Sequence, residues 1–312
     1  MNIYLFCQNK NYFSKNQVKA MKKAGRVIFV EGINPIGVCK KLIADKSNKI
    51  VAIDPDVCLW KLTNKEIESI PNLKAIIIQS TSFSWIDTDF CRIKKITVIN
   101  TRDYCTNAVT EWLLMMTLMV ARKLPTVYKD GWKVDFNRHL GMELHGKTAG
   151  IIGVGTIGTR VAQVMTAMGM KVVYWSKHDH GSIYDQTTLT KLFKTADFIY
   201  PCLAKNNETK KIIKMKHLRT MKKTASIICA APQPALFDKE TVLKLVAKNK
   251  INGFGFESGG DTRKLMEEAR GNTLVTPELA WYSKETLITN AKKWSKNIIA
   301  AAKNKYPDMV NP

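Results

Sequence analysis

One stretch constrains the fold of this chain more than any other: residues 148–176, TAGIIGVGTIGTRVAQVMTAMGMKVVYWS. Residues 148–154 form an apolar run of strand length. Gly153, Gly155 and Gly158 stand at G-x-G-x-x-G spacing. Ile157, Val161, Val164, Met165 and Met168 then recur at helical period, and Gly169 sits where a helix would stop. A second apolar run, 172–175, completes strand, glycine turn, helix and strand. The triplet alone is weak, but in this setting it is the dinucleotide-binding fingerprint. The first glycine permits a tight turn. The second lets backbone N–H groups reach a pyrophosphate, and the third lets helix and strand pack closely. The helix N-terminus adds partial positive charge facing that anion. Gly153, Gly155, Thr156, Ile157 and Gly158 are therefore the candidate phosphate turn; the bland alternative is a glycine turn that binds nothing.

A chain of 312 residues has room for two domains with sizeable cores. Residues 1–7, MNIYLFC, lack a basic leader region and read as a first strand. The most apolar run, 113–121, is too short to span a bilayer. A cytoplasmic protein with no membrane partner is expected. Its seven cysteines include no C-x-x-C, and none of the five histidines makes a metal-ligand spacing with them. Buried thiols in a reducing compartment and no bound metal are the expectation. The net charge of +23 could signal a nucleic-acid partner. The lysines are scattered in pairs such as Lys22–Lys23 and Lys210–Lys211, without a nucleic-acid motif. They read as solvated faces that would also attract anionic ligands.

In chain order, strands are predicted at 3–7, 26–31, 50–53, 75–79 and 97–101, with helical stretches at 16–23 and 35–44 between them. Residues 109–124 predict one helix stopped by Pro125. It is apolar nearly all round, so it must be buried between domains or against a second subunit. Residues 129–144 read as a polar loop with an aromatic pair, Trp132 and Phe136. Beyond the fingerprint, strands are predicted at 198–202, 225–230, 251–256 and 274–276, with a helix at 239–248 and a last one at 284–303. The fold class is α/β: two Rossmann-like or flavodoxin-like, doubly wound parallel-sheet domains with a cleft between them.

An acidic residue after the second strand of the unit takes the adenosine ribose in NAD binders. Here that strand runs into Ser176, Lys177 and His178, with no carboxylate before Asp179. A hydroxyl followed by cations suits a 2′-phosphate, so NADP is preferred over NAD. The plain alternative is that Lys177 and His178 are exposed loop residues.

The sequence resembles the D-isomer-specific 2-hydroxyacid dehydrogenases, the family of glycerate, phosphoglycerate and glyoxylate/hydroxypyruvate enzymes. The likeness covers nearly the whole chain beyond about residue 70. It is carried by LKAIIIQSTSFSWID (73–87), VINTRDYCTNAVTEW (98–112), LHGKTAGIIGVGTIGTRVA (144–162), MKKTASIICAAPQPALFDKETV (221–242) and NTLVTPELAW (272–281). The resemblance implies a substrate domain of 1–97 plus 284–312 and a dinucleotide-binding domain of 98–283. It implies a homodimer formed through the latter, with the 109–124 helix contributing. It also places Thr106, Leu203 and Ala230 beside the cofactor, and Glu257 where the family has an aspartate near the nicotinamide.

The chemistry departs from that pattern. Family enzymes use an arginine for the substrate carboxylate and carbonyl, and a histidine oriented by an acidic residue for the proton. In the segment matching N-T-A-R-G-G-L-V-D, Gln233 occupies the arginine position. In the segment matching T-P-H-x-A, Glu278 occupies the histidine position. The acidic residue should fall near Thr262; the neighbouring Asp261 reads more simply as a helix N-cap. The glycine-rich substrate loop is altered to Ser80-Thr81-Ser82, making Thr81 and Ser82 candidate substrate contacts. Arg102, where the family has proline, is a candidate anion anchor or a partner for Asp103 or Glu278. Gln233 can donate a hydrogen bond but makes no bidentate ion pair. Glu278 can act as a general acid only where its surroundings hold it protonated.

The leading expectation is a nicotinamide-dependent oxidoreductase moving hydride between the cofactor and a small hydroxy or keto compound. Gln233 would orient the carbonyl and Glu278 would handle the proton. The alternatives are a catalytically inactive NADP(H)-binding sensor or scaffold, and a basic nucleic-acid-associated protein that reuses the fold.

Overall fold

The computed structural model describes residues 1–33, 35–177, 183–203, 209–230 and 236–312. The elements run β1 (Asn2–Cys7), α1 (Lys15–Ala24), β2 (Arg26–Glu31), α2 (Lys40–Ala44), β3 (Lys49–Ile53), α3 (Asn64–Glu68), β4 (Leu73–Ile78), α4 (Thr88–Ile93) and β5 (Thr97–Ile99). Next come α5 (Thr106–Ala121), α6 (Leu124–Lys129), β6 (Thr148–Ile152), α7 (Thr156–Ala167), β7 (Lys171–Trp175), β8 (Asp185–Gln186), α8 (Leu189–Thr195) and β9 (Phe198–Pro201). The chain ends with α9 (Met215–Leu218), β10 (Ser226–Cys229), α10 (Lys239–Ala247), β11 (Gly253–Glu257), α11 (Thr262–Glu268), β12 (Thr273–Thr276) and α12 (Lys284–Ala302). Contacts divide it into two units: Met1–Cys105 with Lys284–Pro312, and Thr106–Ser283. The division falls later than the 97/98 boundary read from sequence, because β5 pairs with β4 in the first sheet.

The first unit holds a parallel five-stranded sheet in the order β2-β1-β3-β4-β5. Every residue of β3 and nearly every residue of β1 and β4 is buried. That explains their near-continuous apolar sequence: a parallel sheet is covered on both faces. The chain reverses its direction of travel across the sheet at β1 and β3, the usual place for a ligand at strand carboxyl ends. The C-terminal α12 is part of this unit. Trp294, fully buried, donates from Nε1 to the Ile77 carbonyl at 3.2 Å. Asn290 donates to the Gln79 carbonyl at 2.9 Å and Asn297 to that of Asn100 at 3.1 Å. The helix thus supplies both apolar cover and partners for carbonyls at the strand ends.

The second unit holds a parallel seven-stranded sheet, order β12-β11-β10-β9-β6-β7-β8. Here the reversal lies between β6 and β9, and the glycine turn stands at the end of β6. The two-residue β8 carries no apolar alternation, being an exposed polar edge strand, so periodicity gave no signal for it.

Three sequence expectations change in detail. The 35–44 stretch is a 3-10 turn at Ile36–Val38 followed by α2, with Cys39 between them. The apolar helix begins at Thr106 and ends at Ala121; Pro125 then opens α6, where its missing N–H costs nothing. Within this unit α5 is one-sided: Val109, Leu113, Met116 and Val120 are buried, whereas Met115 and Leu118 are 36% and 39% exposed. All seven cysteines are free thiols; four are buried and Cys39, Cys105 and Cys202 are half-buried. Among the described residues, no helix is long and apolar enough to cross a membrane.

Candidate functional site

The glycine turn is built by close approach. Gly153 has φ +93°, and a Cβ there would lie 2.6 Å from Leu203 Cδ2. A Cβ on Gly158 would lie 1.9 Å from the Gly153 carbonyl oxygen, so any side chain would force strand end and helix apart. Gly155 differs: among the described residues, a Cβ there meets no atom within 4 Å. It is the N-cap of α7, and among the described residues no side-chain cap bond is made there. The first-turn N–H groups at Thr156, Ile157 and Gly158 have no acceptor within the helix. A turn with open space above it and outward N–H groups fits a pyrophosphate. Thr106 opens α5, Leu203 packs against Gly153, and Ala230 follows β10. Ser176 and exposed Lys177 follow β7. His178 and Gln233 lie outside the described residues.

At the other side of this sheet, Glu257 ends β11 opposite Thr276 at the end of β12. It is 4% exposed. Its Oε1 accepts from the backbone N–H groups of Leu279 at 2.8 Å and Ala280 at 2.6 Å. Burial, and then the nearby Glu278 carboxylate, push its pKa up to about 7, while the two N–H groups pull it down. Glu278 itself is exposed, its carboxylate passing close to Gly259. The structure therefore brings Glu257 and Glu278 together. Asp261 is engaged as the N-cap of α11, accepting from the Lys264 N–H at 3.0 Å. The sequence had singled out Glu257 for the nicotinamide; the bonds it makes go to the loop that carries Glu278.

The candidate substrate residues of the first unit cluster where β4 and β5 end. Thr81 Oγ1 donates to the Thr101 carbonyl at 3.0 Å, and Asn100 Nδ2 donates to the Thr81 carbonyl at 2.8 Å. Ser80 Oγ donates to the Ser82 carbonyl at 2.7 Å. Arg102 is exposed and donates from Nε to Asn100 Oδ1 at 2.9 Å. Asn100, which sequence reading passed over, therefore holds both the altered loop and the arginine. Its only signal was an asparagine at a strand end.

A strand–turn–helix that fits a dinucleotide, set in a 3-2-1-4-type parallel sheet and preceded in sequence by a second parallel-sheet unit, has known relatives. The model of the D-isomer-specific 2-hydroxyacid dehydrogenase NAD-binding domain matches residues 114–280, more than half of the chain. The chain belongs to that family. It is 28% identical over 258 residues to a glycerate dehydrogenase of Methylorubrum extorquens, covering 78% of this chain and 81% of that protein. It is 28% identical over 265 residues to a glyoxylate reductase of Aeropyrum pernix, covering 78% of each. Among solved structures, an acyclic imino acid reductase in complex with NADPH and D-Arg superposes with TM-score 0.83 at 25% identity, over 99% of this chain and 100% of that one. The family is one of NAD(P)-dependent oxidoreductases acting on CH–OH and C=O groups, and its members act on small molecules.

Proposed function

We propose that this chain is a working NADP(H)-preferring oxidoreductase that moves hydride between nicotinamide and a small hydroxy or keto compound with an altered set of polar residues. The observation that carries the reading is the glycine turn, whose open space and uncapped helix end suit the pyrophosphate. When bound, the cofactor supplies the hydride. Residues 153–158 hold the phosphates, and Ser176 with Lys177 and His178 meet the 2′-phosphate. Gln233 donates a hydrogen bond to the substrate oxygen, and Glu278 holds or delivers the proton there. Thr81, Ser82 and Arg102 take the remaining polar groups of the substrate. Without the arginine and histidine of the family pattern, simple keto acids are poor substrates compared with neutral carbonyl compounds.

The same carboxylate favours a second reading, reduction of a C=N bond. A protonated imine already carries its proton, so hydride addition at carbon leaves a neutral amine and no general acid is needed. A carboxylate stabilises that cation instead of repelling it. The solved relative named an imino acid reductase, bound to NADPH and D-Arg, supports this widening of substrate class and the NADP preference.

The deciding experiment follows NADPH and NADH oxidation against glyoxylate, hydroxypyruvate, pyruvate, neutral aldehydes, and pyruvate premixed with ammonia or methylamine. Turnover that needs the amine selects the imine reading. Tight NADPH binding with no turnover on the whole panel sinks both readings and leaves a cofactor-binding sensor. The double variant Gln233→Arg with Glu278→His should then restore keto-acid reduction if only the polar set is missing.

Oligomerisation is part of the reading. The exposed Met115 and Leu118 of α5, and Trp132 and Phe136 at 63% and 88% exposure, form apolar surface on the second unit. A hollow of about 350 Å³ lined by Met119, Leu124, Pro125, Tyr128, Trp132 and Met266 lies in the same unit. Exposed aromatics and an apolar hollow on this unit suit a two-fold homodimer. Light scattering on wild type and on Phe136→Ser checks it: a monomeric wild type ends the idea.

A further inference from the structure

We propose that Glu257 is a positioning residue: its carboxylate ties the loop after β12 onto the end of β11 and so fixes the backbone that carries Glu278. The proposal rests on the reading of Glu278 as the side chain facing the reacting atoms. The loop itself makes a tie necessary. β11 and β12 are in register at Glu257 and Thr276, and beyond Thr276 the chain leaves the sheet. Pro277 follows, with its fixed φ and no N–H to give. The Leu279 N–H turns back to the Pro277 carbonyl at 2.8 Å and shares itself with Glu257 Oε1 at 2.8 Å. The Ala280 N–H goes to the same oxygen at 2.6 Å. Glu278 therefore sits between a rigid proline and two amides held by one carboxylate oxygen.

A carboxylate is the right group for this task. Bonds from N–H to an ionised acceptor are roughly twice as strong as neutral ones, which offsets part of the cost of burying the charge, although burial still raises the carboxyl's pKa overall. Where the resembling family has aspartate, glutamate adds one methylene of reach toward the loop. The titratable groups acting alongside Glu257 are Glu278 on the loop and the Cys229 thiol at the end of β10, which Glu257 helps to push upward. Protonation of Glu257 near pH 7 weakens its acceptance of the two N–H groups, so the tether slackens as pH falls through that value.

The test uses the full chain with Glu257→Ala and Glu257→Gln, three readouts each. Hydrogen exchange of the peptide containing residues 277–282 reads the tether; NADPH affinity reads the cofactor site; kcat and KM across pH read function on any compound turned over by wild type. In Glu257→Ala, exchange at the loop should accelerate on the order of tenfold to a hundredfold, with NADPH affinity held within about twofold and kcat lowered about tenfold or more at similar KM. Glu257→Gln keeps an acceptor oxygen, so it should recover most of the protection while losing the ionisation near 7 from the kcat profile. Unchanged loop exchange in Glu257→Ala overturns the proposal. So does faster exchange with unchanged kcat. A large loss of NADPH affinity with normal saturated kcat overturns it too, and makes Glu257 a cofactor contact. If wild type turns over nothing, the reading of Glu278 fails on its own account, and the exchange arm still decides whether Glu257 is the tie.

Discussion

The carboxyl end of β6 and the carboxyl ends of β11 and β12 belong to one parallel sheet but hold their residues by different means. At β6 the work is done by missing atoms: Gly153 and Gly158 leave no room for a Cβ, and Gly155 leaves space open. At β11 and β12 it is done by charge: a buried carboxylate grips two backbone amides beside an exposed one. Steric requirements admit one residue type and so persist as a motif. A charged contact can be rebuilt with other polar residues, and it leaves no fixed spacing in the sequence.

The largest break in that comparison should come from Gly158→Val. Its Cβ would meet the Gly153 carbonyl at 1.9 Å, so the strand end and α7 separate. Overpacking of this kind costs about 1–3 kcal/mol and here more, because the obstacle is backbone. Thermal melts should show a clear loss of stability, and NADPH titration no saturable binding. Retained affinity would mean that the turn is not a phosphate cradle.

Next in size is Glu278→Gln. If Glu278 handles the proton, kcat should fall about a hundredfold to a thousandfold with NADPH affinity intact. If the substrate is a protonated imine, kcat falls less and KM for the cation rises more. Either pattern separates chemistry from cofactor binding, whereas an unchanged kcat/KM removes Glu278 from the site.

Stability against pH gives the third measure. Glu257 has an ordinary value of 4.5 in the unfolded chain and about 7 when folded, so the folded form holds its proton more tightly. Its contribution is fully present below pH 4.5 and is lost as pH rises to about 7. The size is on the order of 2 kcal/mol, a few degrees in melting temperature. Subtracting the melt series of Glu257→Gln from that of wild type isolates it; coincident series refute the burial cost.

The smallest effects belong to the open part of the turn. Gly155→Ala should leave the fold unchanged, since its Cβ meets nothing, yet weaken NADPH about tenfold by filling the space above the turn. Lys177→Ala should reduce the preference for NADPH over NADH about fivefold, less at high salt, because the side chain is exposed. A steady ratio would leave cofactor choice to other residues.

Much of this molecule was legible in the order of its residues. Continuous apolar runs named β1, β3, β4 and β6, because parallel strands are buried on both faces and leave no polar alternation. The glycine spacing named the turn, because no other residue meets its steric demand. The Asp261 cap followed from local chemistry. Short polar β8 escaped, and the composition of α5, read as buried between domains or against a second subunit, does not say which side meets the sheet. Only the tertiary structure decided that α12 seals the first sheet through Trp294, that Asn100 braces Arg102, and that Glu257 turns to the Glu278 loop. Each of these joins residues or backbone groups brought together by strand register and chain return. A sequence records which groups need partners, but long-range packing chooses the partners they get.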